Sequence, residues 1–283
     1  MKCAFTVDVE DWFCSHNLQQ SISYNDWNNL EGRVERNTHR LLKLLDWHHV
    51  KATFFVLGWV AEKYPSLVKD IASMGHEIGS HGYRHQLVTK MTRKTFSEDL
   101  ILSIDSIRDS CGIMPVGYRA PAFSITEKTL WALQILKEAG FKYDSSIYPI
   151  SMHPDYGFPG ASLVPYEPVP GLTEIPMSCS EKWGMRIPCS GGAYLRFFPY
   201  TVFTKLVKEV LNAGRPYIFY IHPWELDKDS PRVPLPFLKS ARHYANLHTT
   251  EQKLNRLLQE FEFTSINKIF ENVSYDDQPV SAR

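Results

Sequence analysis

The sequence predicts an α/β fold built on a mostly parallel sheet. Apolar, β-rich stretches alternate with segments of helical periodicity from the first residues onward, the pattern of strands joined by crossover helices. Several of the strand-like stretches end in a charged or histidine-bearing turn, where parallel α/β folds place their chemistry. A length of 283 residues suits one large α/β unit, expected here as a single domain over residues 1–283.

Composition narrows the class of protein. Hydrophobic residues make up 43% and charged residues 22%, the balance of a soluble globular chain. Lys+Arg and Asp+Glu both number 31, and no basic stripe stands out, so nucleic acid is not an expected partner. The five cysteines are scattered without a C-x-x-C pair, which argues against a zinc ribbon or a disulfide framework. No run of eighteen apolar residues occurs, and the segment before Asp8 is too short for the apolar part of a signal peptide. The expectation is a cytoplasmic protein without a transmembrane segment.

The elements follow in order. Residues 4–9 alternate and read as a buried first strand, running into the acidic cluster Asp8, Glu10 and Asp11. Residues 32–48 carry Val34, Leu41, Leu42, Leu44 and Leu45 at helical spacing, and residues 51–58 form a second buried strand. Pro65 opens a helix over residues 66–74, Gly75 ends it, and residues 76–79 give the third strand. Residues 95–111 place Phe96, Leu100, Ile104 and Ile107 on one helical face, and residues 117–123 form a strand end that bears Arg119. Thr126 and Gly140 cap a helix between them, followed by a strand over residues 141–145. Residues 149–199 hold nine of the 18 prolines and are expected to be an irregular insertion forming a cleft wall, with a strand at 174–178 and a turn at 191–196. A helix at 200–213, a strong strand at 216–222 and a closing helix at 251–263 complete the chain.

The chemistry collects at the strand ends. His81 and His85 stand four residues apart, a spacing that lets two imidazoles face one metal ion if the chain turns helical after Ser80. Carboxylates such as Asp8 at the end of a buried strand are costly unless paired or bound to a cation. Arg119, Asp144 and His222 occupy the equivalent places on later strands.

In this order the motifs F-T-V-D, H-G-Y-R-H, R-A-P, Y-D-S-S and Y-I-H-P resemble the polysaccharide deacetylase family, also called the NodB homology domain or carbohydrate esterase family 4. The resemblance spans about residues 2–225, and V-D-V-E-D-W, G-G-A-Y-L-R and H-P-W-E look like its branch associated with exopolysaccharide loci. It implies a distorted, incomplete (β/α) barrel and a metal-dependent hydrolase that removes acetyl groups from an N-acetylated sugar or polysaccharide. It further implies Asp8 as general base, Arg119 holding that base, His81 and His85 as metal ligands and His222 as general acid. The implied metal is Zn2+, with Co2+, Ni2+ and Mn2+ as alternatives. Chemistry points the same way, since amide hydrolysis needs an activated water, a positive centre for the oxyanion and a proton for the departing amine.

At one place the sequence departs from the family pattern. Many members read T-F-D-D, with a metal-binding aspartate after the base, whereas Val9 follows Asp8 here. Side-chain alternation favours Glu10 as the third ligand, with Asp11 in its place if the strand has already broken. Asp144 is grouped with the catalytic residues. Tyr118, Pro121, Trp183, Tyr194, Arg196 and Trp224 are the expected substrate contacts, the aromatic rings stacking on sugar. Two rival readings are a carbohydrate-binding barrel without catalysis, disfavoured by the complete set Asp8, His81, His85 and His222, and a metal-independent hydrolase of cyclic amides, disfavoured by the H-x-x-x-H pair.

Overall fold

A computed structural model describes residues 3–151, 157–182 and 184–270. The strands are β1 (Cys3–Val9), β2 (Thr53–Val56), β3 (Glu77–Ser80), β4 (Gly117–Tyr118), β5 (Tyr143–Asp144), β6 (Tyr166–Val169), β7 (Leu172–Glu174), β8 (Cys179–Lys182), β9 (Met185–Pro188), β10 (Tyr217–Ile221) and β11 (Phe263–Thr264). They form one sheet in the order β10-β1-β2-β3-β4-β5-β7-β6, with β11 beside β1, plus the separate hairpin β8-β9. Every pairing in the large sheet is parallel except β6 with β7. Among the described residues no ladder joins β6 to β10, so the barrel is curved but open, as the sequence led one to expect.

Alternation along β1 explains the layers. Phe5, Val7 and Val9 join the large outer core with Leu41, Leu45, Leu67 and Ile71 from the crossover helices Val34–Trp47 and Pro65–Ser73. Ala4 faces the barrel interior with Phe55, Tyr143, Ile218 and Tyr220. All seven β1 residues are buried, which is why the strand reads as a nearly continuous apolar run. The same alternation sends Thr6 and Asp8 inward, where Arg119 binds both.

Several elements differ from the sequence reading. The helix expected at 126–140 is split into a 3-10 turn, Glu127–Thr129, and an α-helix, Trp131–Glu138. The strand expected at 174–178 lies earlier, at β7, because Leu172–Glu174 pairs in parallel with β5. The turn expected at 191–196 is the short helix Gly192–Phe197. The helix Phe237–Tyr244 was not anticipated, since Pro231, Pro234 and Pro236 run up to its start and its own residues offer no clear apolar period.

Candidate active site

β1 delivers Asp8 and then breaks, so Glu10 and Asp11 leave in different directions. Asp8, Glu10 and Asp11 are all at most 2% exposed. Glu10 meets His81 and His85 in a buried cluster whose ligand atoms lie within 4.8 Å of one another. Asp11 turns away: its Oδ1 accepts the Trp12 N–H at 2.8 Å, and its Oδ2 accepts the N–H groups of Arg33 at 2.7 Å and Val34 at 3.0 Å. Asp11 thus caps the start of the helix Val34–Trp47, and its place as a possible metal ligand is corrected. Burial pushes its carboxyl up to about 6 against the pull of these three N–H groups.

His81 follows the last residue of β3, and no helix follows it. Residues 81–87 form an irregular loop in which Gly82 has φ +72° and His85 φ +51°, so the histidines converge through a left-handed turn instead of the helical turn expected. Their rings sit 5.3 Å apart. The Nδ1–H of His81 donates to the Arg119 carbonyl at 2.7 Å, which fixes the tautomer and leaves Nε2 as a lone-pair donor. Burial holds His81 down at about 4, the neutral form a metal requires. Glu10 is pressed upward by burial, but the charges of His85 and His222 outweigh this and keep it below the carboxylate range. His85 Nε2 lies 2.6 Å from Glu10 Oε2, yet that oxygen has no hydrogen-bond partner. Two converging ligand atoms that do not bond to each other, with a third lone pair aimed alongside, fit a divalent ion of the zinc type.

Asp8 and His222 stand beside this cluster. Arg119, fully buried, donates through Nη1 to Asp8 Oδ1 at 2.8 Å and to Thr6 Oγ1 at 2.6 Å, and through Nε to the Ser145 carbonyl at 3.0 Å. Its guanidinium lies 4.3 Å over the Phe55 ring, so both its plane and its charge are fixed. Asp8 Oδ2 is left toward the cleft, 4.0 Å from His222 Nε2. His222 follows β10 and keeps 21% of its side chain exposed. Burial pulls its imidazole down, but Glu10, Glu225 and Asp8 outweigh this and raise it to about 9.

Glu225 is the functional residue that sequence reasoning passed over. Its Oε1 accepts the His222 Nδ1–H at 2.9 Å and the His222 backbone N–H at 3.2 Å, while Oε2 takes the Nε–H of Arg196 at 3.0 Å. H-P-W-E has the spacing of a capping box, and that was the available signal. Gly192 makes room for it, since a Cβ there would lie 2.5 Å from the Glu225 carboxylate.

The remaining expected residues are distributed differently. The cleft is lined by Asp8, Glu10, His85, Phe123, Trp224 and His243 among others. Trp224 is in it and donates its Nε1–H to Glu10 Oε1 at 3.0 Å. Ala122 and Phe123 line it with φ of +49° and +51°, whereas the adjacent Pro121 does not. Tyr118 packs in the outer core against Phe96 and Phe141, with centroids at 6.0 Å and 5.5 Å, and is not a substrate contact. Arg196 reaches the cleft wall, but its guanidinium is committed to Glu225 and to the carbonyls of His243 and Ala245. Tyr194 stacks on Phe198 at 6.4 Å outside the cleft lining, and Trp183 lies outside the described residues.

Asp144 is not in the cleft either. It is in register with Tyr118 and Glu174, and Tyr118 with Ser80, which puts it on the outer face of the sheet, opposite Asp8. There it accepts the Ser146 hydroxyl, whose oxygen takes the Ala120 N–H at 2.7 Å. Burial beside Glu174 pushes both carboxyl groups upward. Asp144 therefore braces the Arg119–Ala120 peptide from behind and does not face a substrate.

An open parallel barrel with a two-histidine, one-carboxylate cluster and an opposed acid–base pair at its strand ends defines a candidate metal-dependent hydrolase. Residues 21–143 match the family described as polysaccharide deacetylase, and residues 145–271 match a domain of unknown function, DUF3473. Over the first of these regions, less than half of the chain, the sequence is similar to the polysaccharide deacetylase family. A peptidoglycan deacetylase of Helicobacter pylori is 38% identical over 156 residues, 54% of this chain and 50% of its own. A peptidoglycan-N-acetylglucosamine deacetylase of Bacillus cereus is 39% identical over 98 residues, 34% of this chain and 36% of its own. The chain thus spans half or less of the length of these curated relatives. Among solved structures, a Mycobacterium smegmatis protein described as a polysaccharide deacetylase superposes with a TM-score of 0.65 at 22% identity, covering 100% of this chain and 94% of that one. An allantoinase superposes with a TM-score of 0.56 at 16% identity, covering 93% and 86%. At such identities these likenesses establish the fold. His81, His85 and Arg119 lie within the deacetylase match, whereas Asp8 and Glu10 precede it and His222 falls in the other region.

Proposed function

We propose that the protein is a metal-dependent N-deacetylase that hydrolyses the acetamido group of an N-acetylated sugar within a glycan. The observation that carries this reading is the placement of Asp8 and His222, 4.0 Å apart, beside the buried Glu10–His81–His85 cluster, with Asp8 held by Arg119 and His222 by Glu225. Glu10, His81 and His85 would hold a divalent ion, Zn2+ by the character of the donor set. Such an ion supplies Lewis acidity toward the amide carbonyl and toward water.

The chain's own groups account for the protons. Asp8, oriented by Arg119, accepts a proton from the water that adds to the acetyl carbonyl carbon. His222, kept charged by Glu225, gives its Nε2 proton to the amide nitrogen as the carbon–nitrogen bond breaks. Acetic acid and a free amine leave, and return of the proton from Asp8 to His222 through a water in the cleft restores both groups. Trp224 keeps Glu10 in place through its indole N–H.

Acetate release from a panel of N-acetylated glycans, including peptidoglycan fragments and exopolysaccharides, tests the reading with zinc added and with chelator. Release that depends on metal supports it, and the preferred glycan decides between the cell-wall substrates named for the relatives and the exopolysaccharide suggested by V-D-V-E-D-W. Failure of the zinc-loaded protein to release acetate from any member of the panel would reject it.

A further inference from the structure

The two histidines of the cluster are held in different ways. His81 follows directly on β3, and its ring is oriented by the Nδ1–H bond to the Arg119 carbonyl. The His85 ring lacks such support, since its Nδ1 is buried without a hydrogen-bond partner among the described residues. Its backbone stands at φ +51°, in the left-handed region that is uncommon for a residue with a Cβ. The place of His85 Nε2 beside Glu10 Oε2 therefore depends on what holds the His85 backbone. Asp99 fixes the first part of the loop by accepting the N–H groups of Tyr83 at 2.7 Å and Arg84 at 3.2 Å. Among the described residues, the hydrogen bond that reaches the backbone of His85 itself comes from Gln19, whose Nε2–H donates to the His85 carbonyl at 3.0 Å.

We propose that Gln19 is a positioning residue for the metal site, holding His85 in the left-handed conformation that keeps its imidazole beside His81 and Glu10. The inference rests on the metal-dependent function proposed above. The amide of Gln19 works only one way round: the His85 carbonyl accepts and cannot donate, so the amide nitrogen faces it. The amide oxygen then faces His16 Nδ1 at 3.2 Å, and that nitrogen carries the proton. With both ends engaged, the side chain is braced between the cleft wall, which His16 lines, and the metal-binding loop. Its own backbone closes the short turn His16–Leu18, which Leu18 anchors in the core. This turn belongs to the segment that leaves β1 through Glu10, so one stretch of chain supplies one ligand and the brace of another. Partners that orient a metal ligand are typically worth about 10- to 100-fold in metal affinity.

The test compares wild type with Gln19→Met, which keeps the length of the side chain but cannot donate, and Gln19→Glu, which keeps an acceptor for His16 but sets lone pairs against the His85 carbonyl. Three quantities are measured on each: zinc affinity of the metal-free protein by competition with a chromophoric chelator, the visible absorption spectrum of the Co2+ form, and the melting temperature without metal. Both variants should bind zinc about 10- to 100-fold more weakly than wild type and show a changed Co2+ spectrum, with the metal-free melting temperature unchanged. The Co2+ spectrum reads the arrangement of the ligands directly, and a role in folding alone would not move it. Zinc affinity within about twofold of wild type in both variants, with an unchanged Co2+ spectrum, would overturn the inference alone. A lower metal-free melting temperature with an unchanged Co2+ spectrum would overturn it too, leaving Gln19 a prop of the fold. Wild type that bound neither zinc nor Co2+ would overturn the proposed function together with it.

Discussion

The two walls of the cleft are built by different physical means. The metal side comes from β1 and β3, and its members are fixed largely by neutral partners: His81 by the Arg119 carbonyl, Glu10 by the Trp224 indole. The proton-donor side comes from the end of β10 and the helix Gly192–Phe197, and it is fixed by a buried charge relay from Arg196 through Glu225 to His222. The contrast follows from what each side must do in the proposed reaction. Metal ligands must present lone pairs, so the ligand imidazole is kept neutral and oriented by a carbonyl that leaves Nε2 free. A proton donor must remain charged near neutrality, so it is surrounded by carboxylates, two of which are themselves paired with arginines, Asp8 with Arg119 and Glu225 with Arg196.

The strongest way to break this contrast is to remove the metal side. His81→Ala and His85→Ala should each lose the bound ion and with it all measurable acetate release, and elemental analysis of the purified variants checks it. Full metal occupancy in both would mean that the cluster is not a metal site. His222→Ala should do the opposite, retaining metal while turnover falls roughly 10²- to 10⁴-fold, as expected for a positioned acid. A near-normal rate in that variant would reduce His222 to a strand cap.

A smaller effect separates the charge relay from the residue it serves. Glu225→Gln should lower turnover roughly 10- to 100-fold with metal content unchanged, because the imidazole loses its charged orienting partner. Gly192→Ala should move in the same direction, since its Cβ would fall 2.5 Å from the Glu225 carboxylate. If Glu225→Gln also emptied the metal site, the two walls would not be separate devices. The smallest effect belongs to Asp11, which serves the fold alone: Asp11→Ala should cost about 1–2 kcal/mol of stability through the lost helix cap and leave metal binding intact. Chemical denaturation and metal analysis on the same sample decide it.

Much of the metal side was legible in the residues. Asp8, Glu10, His81 and His85 all lie within or just after strands whose apolar content is high enough to read without a structure. Asp144 shows where such reading stops. It too ends a strand, but β5 is two residues long and its register with Tyr118 turns it outward, away from Asp8. Asp11 shows the same limit at one residue's distance from Glu10, because the break in the strand gives it to the backbone of the next helix.

The sequence by itself determined the parallel α/β architecture, the convergence of acidic and histidine residues at the strand ends, and the choice of Asp8, His81, His85, Arg119 and His222 as the groups to examine. These follow from local patterns, in which periodicity fixes the element and position along it fixes the end. Only the tertiary structure decided that Glu10 and not Asp11 joins the histidines, that the histidines meet through a left-handed loop, and that Glu225 and Arg196 stand behind His222. Each of these depends on side-chain direction and on contacts such as Trp224 with Glu10 or His81 with Arg119, which local patterns favoured only in part, through alternation for Glu10 and capping-box spacing for Glu225.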